Sequence, residues 1–171
     1  MWKKLLMSVI ACVSTSAFAQ QSSEDKGIRP YVQFGISGLD LKVGTTTYDI
    51  GSTATTYVGV EVLGWLGLEL NVATAWNQSG TAKLDFVGGY LRPFTKVSDD
   101  WQVFFRYGTN DITIGTRYGT ASVGSYTAYG VGTNWYFGDD KSSYIQLDYM
   151  VWGKEGNTTL SGLGLSVGHR F

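Results

Sequence analysis

Seven charged residues fall on the small polar face of strand-like stretches, the face expected to point inward: Glu61, Glu69, Lys83, Asp85, Arg106, Asp148 and Arg170. Two kinds of chemistry could use them. Glu61 and Glu69 could divide general-acid and general-base work on a glycosidic bond. No stretch near them reads as a glycan cleft, however. The mixture of signs points instead to ion pairing. A lone charge in a narrow interior is costly, whereas a paired one is tolerated. The spacing puts Arg106 and Lys83 at the level of Asp85 and Asp148, and Arg170 near Glu61 and Glu69. Gln33, Asn71, Gln102, Asn134 and Gln146 share their face and can fill the gaps. Such a layer can serve as a gate for protons or small ions, or as a polar plug that specifies the fold. The plug is the simpler reading.

Other chemistry has little to work with. His169 is the only histidine and Cys12 the only cysteine, which leaves a zinc site without ligands. A nucleophile needs a positioned base, and no such spacing occurs. The Gly-x-Gly runs alternate with apolar residues, as strands do, and do not form a phosphate loop. No enzyme activity and no cofactor are expected. The net charge is −1, without a basic run, so nucleic acid is not an expected partner.

The elements that must hold these charges begin with an export leader. Lys3 and Lys4 precede an apolar run from Leu5 to Val13, and Ala17-Phe18-Ala19 is a small-x-small cleavage site. Cleavage before Gln20 removes residues 1–19, takes the net charge to −3 and discards Cys12. "VIAC" at 9–12 resembles a lipidation box, but a cut there would leave a very short leader. Residues 20–27 read as a flexible polar segment.

Period-2 alternation then recurs along 28–171 without a helical period. It predicts about eight strands near 29–40, 54–63, 65–76, 81–91, 101–109, 123–137, 143–152 and 158–171. Short connections make an antiparallel meander the economical topology. No apolar window reaches the ~18 residues of a membrane-spanning helix.

The two faces of these strands are unequal. The last strand sets Leu163, Leu165, Val167, His169 and Phe171 against Gly162, Gly164, Ser166, Gly168 and Arg170. Leu68 and Leu70 oppose Gly67 and Glu69. Val131 and Trp135 oppose Gly130, Gly132 and Asn134. Around 81–91 the pattern is less clean, with Leu84, Phe86 and Tyr90 set against Lys83, Asp85, Val87 and Gly89. Eight strands enclose an interior just wide enough for side chains, which the bulky face would overfill. Turned outward it meets hydrocarbon, where a closed barrel satisfies every backbone group. The expectation is therefore an all-β, closed, eight-stranded antiparallel up-and-down transmembrane barrel.

The aromatic residues agree. Trp65, Tyr90, Trp101, Phe137 and Phe171 gather at the end expected to face the periplasm. Trp76, Tyr107, Tyr129 and Tyr149 gather at the other, and Trp135 joins the interface set. From Tyr129 to Phe137 a tilted strand climbs roughly 19 Å, near the ~25 Å between interfacial girdles.

Leader, strands, girdles and the terminal "GHRF" resemble the small outer-membrane β-barrels of Gram-negative bacteria, the OmpA transmembrane domain and the OmpX/Ail group. The resemblance spans 28–171 and is architectural rather than exact in motif. It implies a monomer among outer-membrane lipids, with Phe171 read by the barrel assembly machinery. Some barrel lipid A deacylases carry a His-x-Ser site, but here the sequence reads His169-Arg170-Phe171. The segment 109–124 keeps β character and offers Arg117 and Tyr118 at its tip. It reads equally as a plain loop or as a projecting hairpin that binds a surface partner.

Overall fold

The computed structural model describes residues 27–76, 82–116 and 118–171. The leader, residues 20–26, Arg117 and the side chain of Trp76 lie outside the described residues. The strands are β1 (Arg29–Val43), β2 (Thr46–Val62), β3 (Leu66–Trp76), β4 (Ala82–Lys96), β5 (Trp101–Thr116), β6 (Gly119–Phe137), β7 (Ser143–Glu155) and β8 (Thr158–Arg170). Each pairs antiparallel with the next, and β8 closes on β1 to complete the barrel. Among the described residues no helix is long and apolar enough to cross a membrane.

Several strands run further than their alternation suggests. Residues 45–53, expected as a connection, pair with β1 from Thr46 onward, and Gly44 takes φ 60° in the turn. The segment 109–124 is a paired hairpin that reaches Thr116↔Gly119. The β4 strand continues through Pro93 to Lys96. Polar side chains blur a period-2 pattern, yet their backbone groups still need partners and the ladder provides them. Three extra residues interrupt the register: Ile50 in β2, Val123 in β6 and Trp152 in β7. Such bulges bend a strand and re-aim its side chains.

The outer wall is greasy. Phe34, Ile36, Leu68, Leu70, Val131, Leu147, Leu163, Leu165 and Val167 are all exposed. The inner face holds a second apolar region that alternation hides. Leu39, Phe86, Ile112, Met150 and Trp152 cluster in the half away from the termini, and Tyr57 joins them from the level of Arg106. Phe86 and Trp152 meet with ring centroids 5.3 Å apart.

The strand β4 explains that cluster, and it departs from the sequence reading. Its bulky residues face the lumen, the reverse of its neighbours. Tyr90, expected at the lipid interface, is 4% exposed and donates its hydroxyl to Asn110 Oδ1 at 2.6 Å. Lys83 and Asp85, expected inside, point outward with side chains 50% and 38% exposed and pair with each other at 2.9 Å. The cause is volume. Ala73 and Ala75 on β3 and Ala128 on β6 leave lumen that only large side chains can fill.

Inward glycines act as recesses for rings on adjacent strands. A Cβ on Gly59 would stand 2.5 Å from the Tyr31 ring, one on Gly132 2.4 Å from Phe104, and one on Gly168 2.1 Å from Tyr144. Gly168→Val should therefore lower stability by about 1–3 kcal/mol through overpacking. Urea unfolding in detergent micelles reads this, and an unchanged midpoint would contradict the recess.

Candidate functional site

The half of the lumen nearer the termini holds a charged layer. The β5 strand aims Arg106 inward between Phe104 and Asn110, all buried. Its guanidinium meets Glu69 of β3 through Nε at 2.5 Å and Asp148 of β7 through Nη1 at 2.5 Å. Gln146 supports both sides: it accepts from Arg106 Nη2 at 3.3 Å and donates to Asp148 Oδ2 at 2.8 Å. Tyr31 donates its hydroxyl to Glu69 Oε1 at 2.5 Å.

A second arginine shares the layer. Arg92 of β4 is buried, with Nη1 3.6 Å from Glu61 and Nε 3.4 Å from Glu69. Its neighbour Pro93 and the expected connection at 92–100 concealed it in the sequence. The usable signal was its parity with Phe86 and Tyr90. Arg170 of β8 closes the set, with Nη1 3.3 Å from Glu61 and Nη2 donating to the Lys141 carbonyl at 2.9 Å. Three arginines thus face three carboxylates.

Aromatic faces hold these cations in place. The Phe104 ring lies 4.2 Å from Arg92 and 4.7 Å from Arg106, and Tyr57 lies 4.1 Å from Arg106. Such contacts strengthen when both partners are desolvated. Gln102 and Asn134 complete the level, with Asn134 Nδ2 donating to Gln102 Oε1 at 3.0 Å.

Of the seven charges read from the sequence, five converge here: Glu61, Glu69, Arg106, Asp148 and Arg170. Lys83 and Asp85 do not. Glu61 and Glu69 are both engaged by arginine, which occupies the oxygens an acid/base pair would use. The remaining interface aromatics Trp65, Trp101, Tyr107, Tyr129, Trp135, Phe137, Tyr149 and Phe171 are all exposed.

The rim beside the termini carries its own contacts. His169 Nδ1 lies 3.1 Å from Ser143 Oγ on the facing strand, and its ring meets Phe171 edge-on at 4.9 Å. Among the described residues no carboxylate hydrogen-bonds the other ring nitrogen. Hydrogen bonds from Ser142 hold the Asp140 carboxyl below its ordinary range, and the hydrogen bond to Asp100 raises the Lys141 ammonium. Both stay charged at neutral pH.

No family model and no curated protein matches this chain. Solved structures do. The Neisserial surface protein A is 15% identical with a TM-score of 0.64, over 83% of this chain and 97% of that one. Ail of Yersinia pestis is 15% identical with a TM-score of 0.60, over 84% and 99%. The N-terminal β-barrel domain of Pseudomonas aeruginosa OprF is 12% identical with a TM-score of 0.60, over 82% and 97%. At such identities the likeness speaks for architecture alone. Closed antiparallel wall, apolar exterior and arginine-carboxylate lumen together make this the fold of the small eight-stranded outer-membrane β-barrels.

Proposed function

We propose that the protein is a monomeric, non-enzymatic barrel of the outer membrane, exported through a cleaved leader, that serves envelope structure or surface interaction. One observation carries the reading: a closed barrel exposes a continuous apolar wall while its arginines and carboxylates are buried inside. That distribution inverts a water-soluble barrel and suits hydrocarbon. Outer-membrane lipids are then its main surroundings. In this reading the assembly machinery recognises Phe171, and its exposure beside His169 supports that.

Surface work falls to the end away from the termini. The β5–β6 hairpin reaches furthest in sequence, and Tyr118 near its tip is 84% exposed. The β6 segment Gly119–Ala128 pairs with β5 but not with β7, whose pairing begins at Tyr129↔Val151. A partner could contact that edge or the aromatic tip. The bulge at Val123 interrupts the edge, a common guard against indiscriminate pairing.

The rival is a narrow pore. Solute would have to pass both the arginine layer and the Phe86–Trp152 layer. Planar-bilayer recording is the test. A silent barrel with heat-modifiable gel migration is the expected result, and steady single-channel steps would overturn it.

A further inference from the structure

Nine residue pairs join β6 to β7, from Phe137↔Ser143 to Tyr129↔Val151, fewer than at any other seam of the barrel. Beyond Tyr129, away from the termini, the two strands part. Gly119–Ala128 stays paired with β5 alone, and Gly153–Glu155 with β8 alone. Trp152, the extra residue of the β7 bulge, has no ladder partner on either side. A wall without ladder bonds must satisfy its backbone through side chains.

Two side chains span the parted seam. Asn110 donates its Nδ2 to the Trp152 carbonyl at 3.2 Å. Tyr126 lays its side chain over Gly153, where an added Cβ would stand 3.2 Å from the Tyr126 Cβ and Cγ and 3.3 Å from Ile112 Cδ1. The Tyr126 hydroxyl donates to Glu155 Oε2 at 3.2 Å and lies 3.4 Å from the Val123 carbonyl. The apolar cluster that Tyr126 packs against includes Ile112, Phe86 and Trp152. The Trp152 indole is fully buried, yet among the described residues its Nε1 has no hydrogen-bond partner. A buried donor left unpaired costs free energy, and its retention asks for a reason.

We propose that the slot between β6 and β7 is a side-entry site for a small, neutral, mostly apolar molecule with one acceptor oxygen. Tyr126 is its built-in occupant. When the ring swings out, the ligand takes its place between Gly153 and Ile112, and the Trp152 indole donates to the acceptor oxygen. Gly153 suits this role, because any side chain there would fill the slot. The charge that Tyr126 reaches is a carboxylate, which disfavours an anionic ligand, and Lys154 alternates to the other face of β7. Apolar walls with one placed polar group are the usual make-up of a small-molecule site.

Nuclear magnetic resonance of the barrel in lipid nanodiscs tests it, with cyclohexanone as the probe and cyclohexane as its oxygen-free counterpart. The indole N–H signal of Trp152, identified by its loss in Trp152→Phe, should shift to saturation with cyclohexanone and stay in place with cyclohexane. Trp135, exposed on the outer wall, reports uptake by the bilayer and should drift without saturating. Tyr126→Ala should lower the half-saturating concentration about tenfold, because it removes the competing ring and its hydrogen bond. A Trp152 signal that never saturates, or that answers equally to cyclohexane, overturns the site. A disulfide tests the route. Tyr126→Cys with Gly153→Cys, in a chain carrying Cys12→Ser, sets the two Cβ atoms close to bridging distance. The reduced chain should bind and the oxidised chain should not. Equal binding by both overturns entry through the seam.

Discussion

Arg106→Met should destabilise the barrel by about 3–5 kcal/mol, because it strands buried carboxylates. Glu69 would keep only the Tyr31 hydroxyl and Arg92, which already serves Glu61, and Asp148 would keep only Gln146. Methionine fills much of the arginine's volume, so the loss reports charge rather than a cavity. Adding Asp148→Asn should recover most of it. The double variant leaves Arg92 and Arg170 facing Glu61 and Glu69, a neutral set. Urea titration in detergent micelles, followed by the gel shift of the folded form, measures both. If Arg106→Met unfolds at the wild-type midpoint, the layer does not hold the barrel together. If the second substitution adds to the damage, the pairing described for Asp148 is wrong.

Leu165→Arg should cost about 2–4 kcal/mol in a bilayer, the price of an arginine near the middle of a lipid-facing strand. Leu165 is exposed and lies between Ile36 on β1 and Leu147 on β7, which are exposed as well. Its neighbours on that face, Ile36, Leu147, Leu163 and Val167, carry no charge to pair with it. The penalty should shrink for Val43→Arg, which lies at the far tip of β1 against Thr158. Folding equilibria into lipid vesicles compare the two. Equal effects would mean that no hydrocarbon surrounds Leu165.

These two expectations draw on parts of the molecule that were not equally visible beforehand. The outward wall was legible because alternation is a local property. Leu163, Leu165 and Val167 alternate with Gly164, Ser166 and Gly168, and no distant contact is needed to see it. Strand order was legible for a similar reason: short connections between successive strands leave few topologies. Five of the interior charges followed from the same parity.

The misplaced residues sit where local pattern and lumen volume disagree. In β4 every other residue from Leu84 to Phe94 is bulky or glycine, and the partners are mixed, so parity alone gives no direction. The alanines of β3 and β6 decide it, because the space they leave must be filled from across the lumen. That turned Phe86, Tyr90 and Arg92 inward and Lys83 and Asp85 outward. The bulges at Ile50, Val123 and Trp152 are equally non-local, since an extra residue is defined only against a paired strand.

By itself, then, the order of residues determined an all-β chain with a greasy and a small polar face, short turns and a set of charges on the polar side. Only the closed tertiary structure decided which arginine meets which carboxylate and how an apolar layer caps the charged one. Periodicity is written along a strand, but close packing is a condition on side chains that meet across the barrel, from strands far apart in the chain.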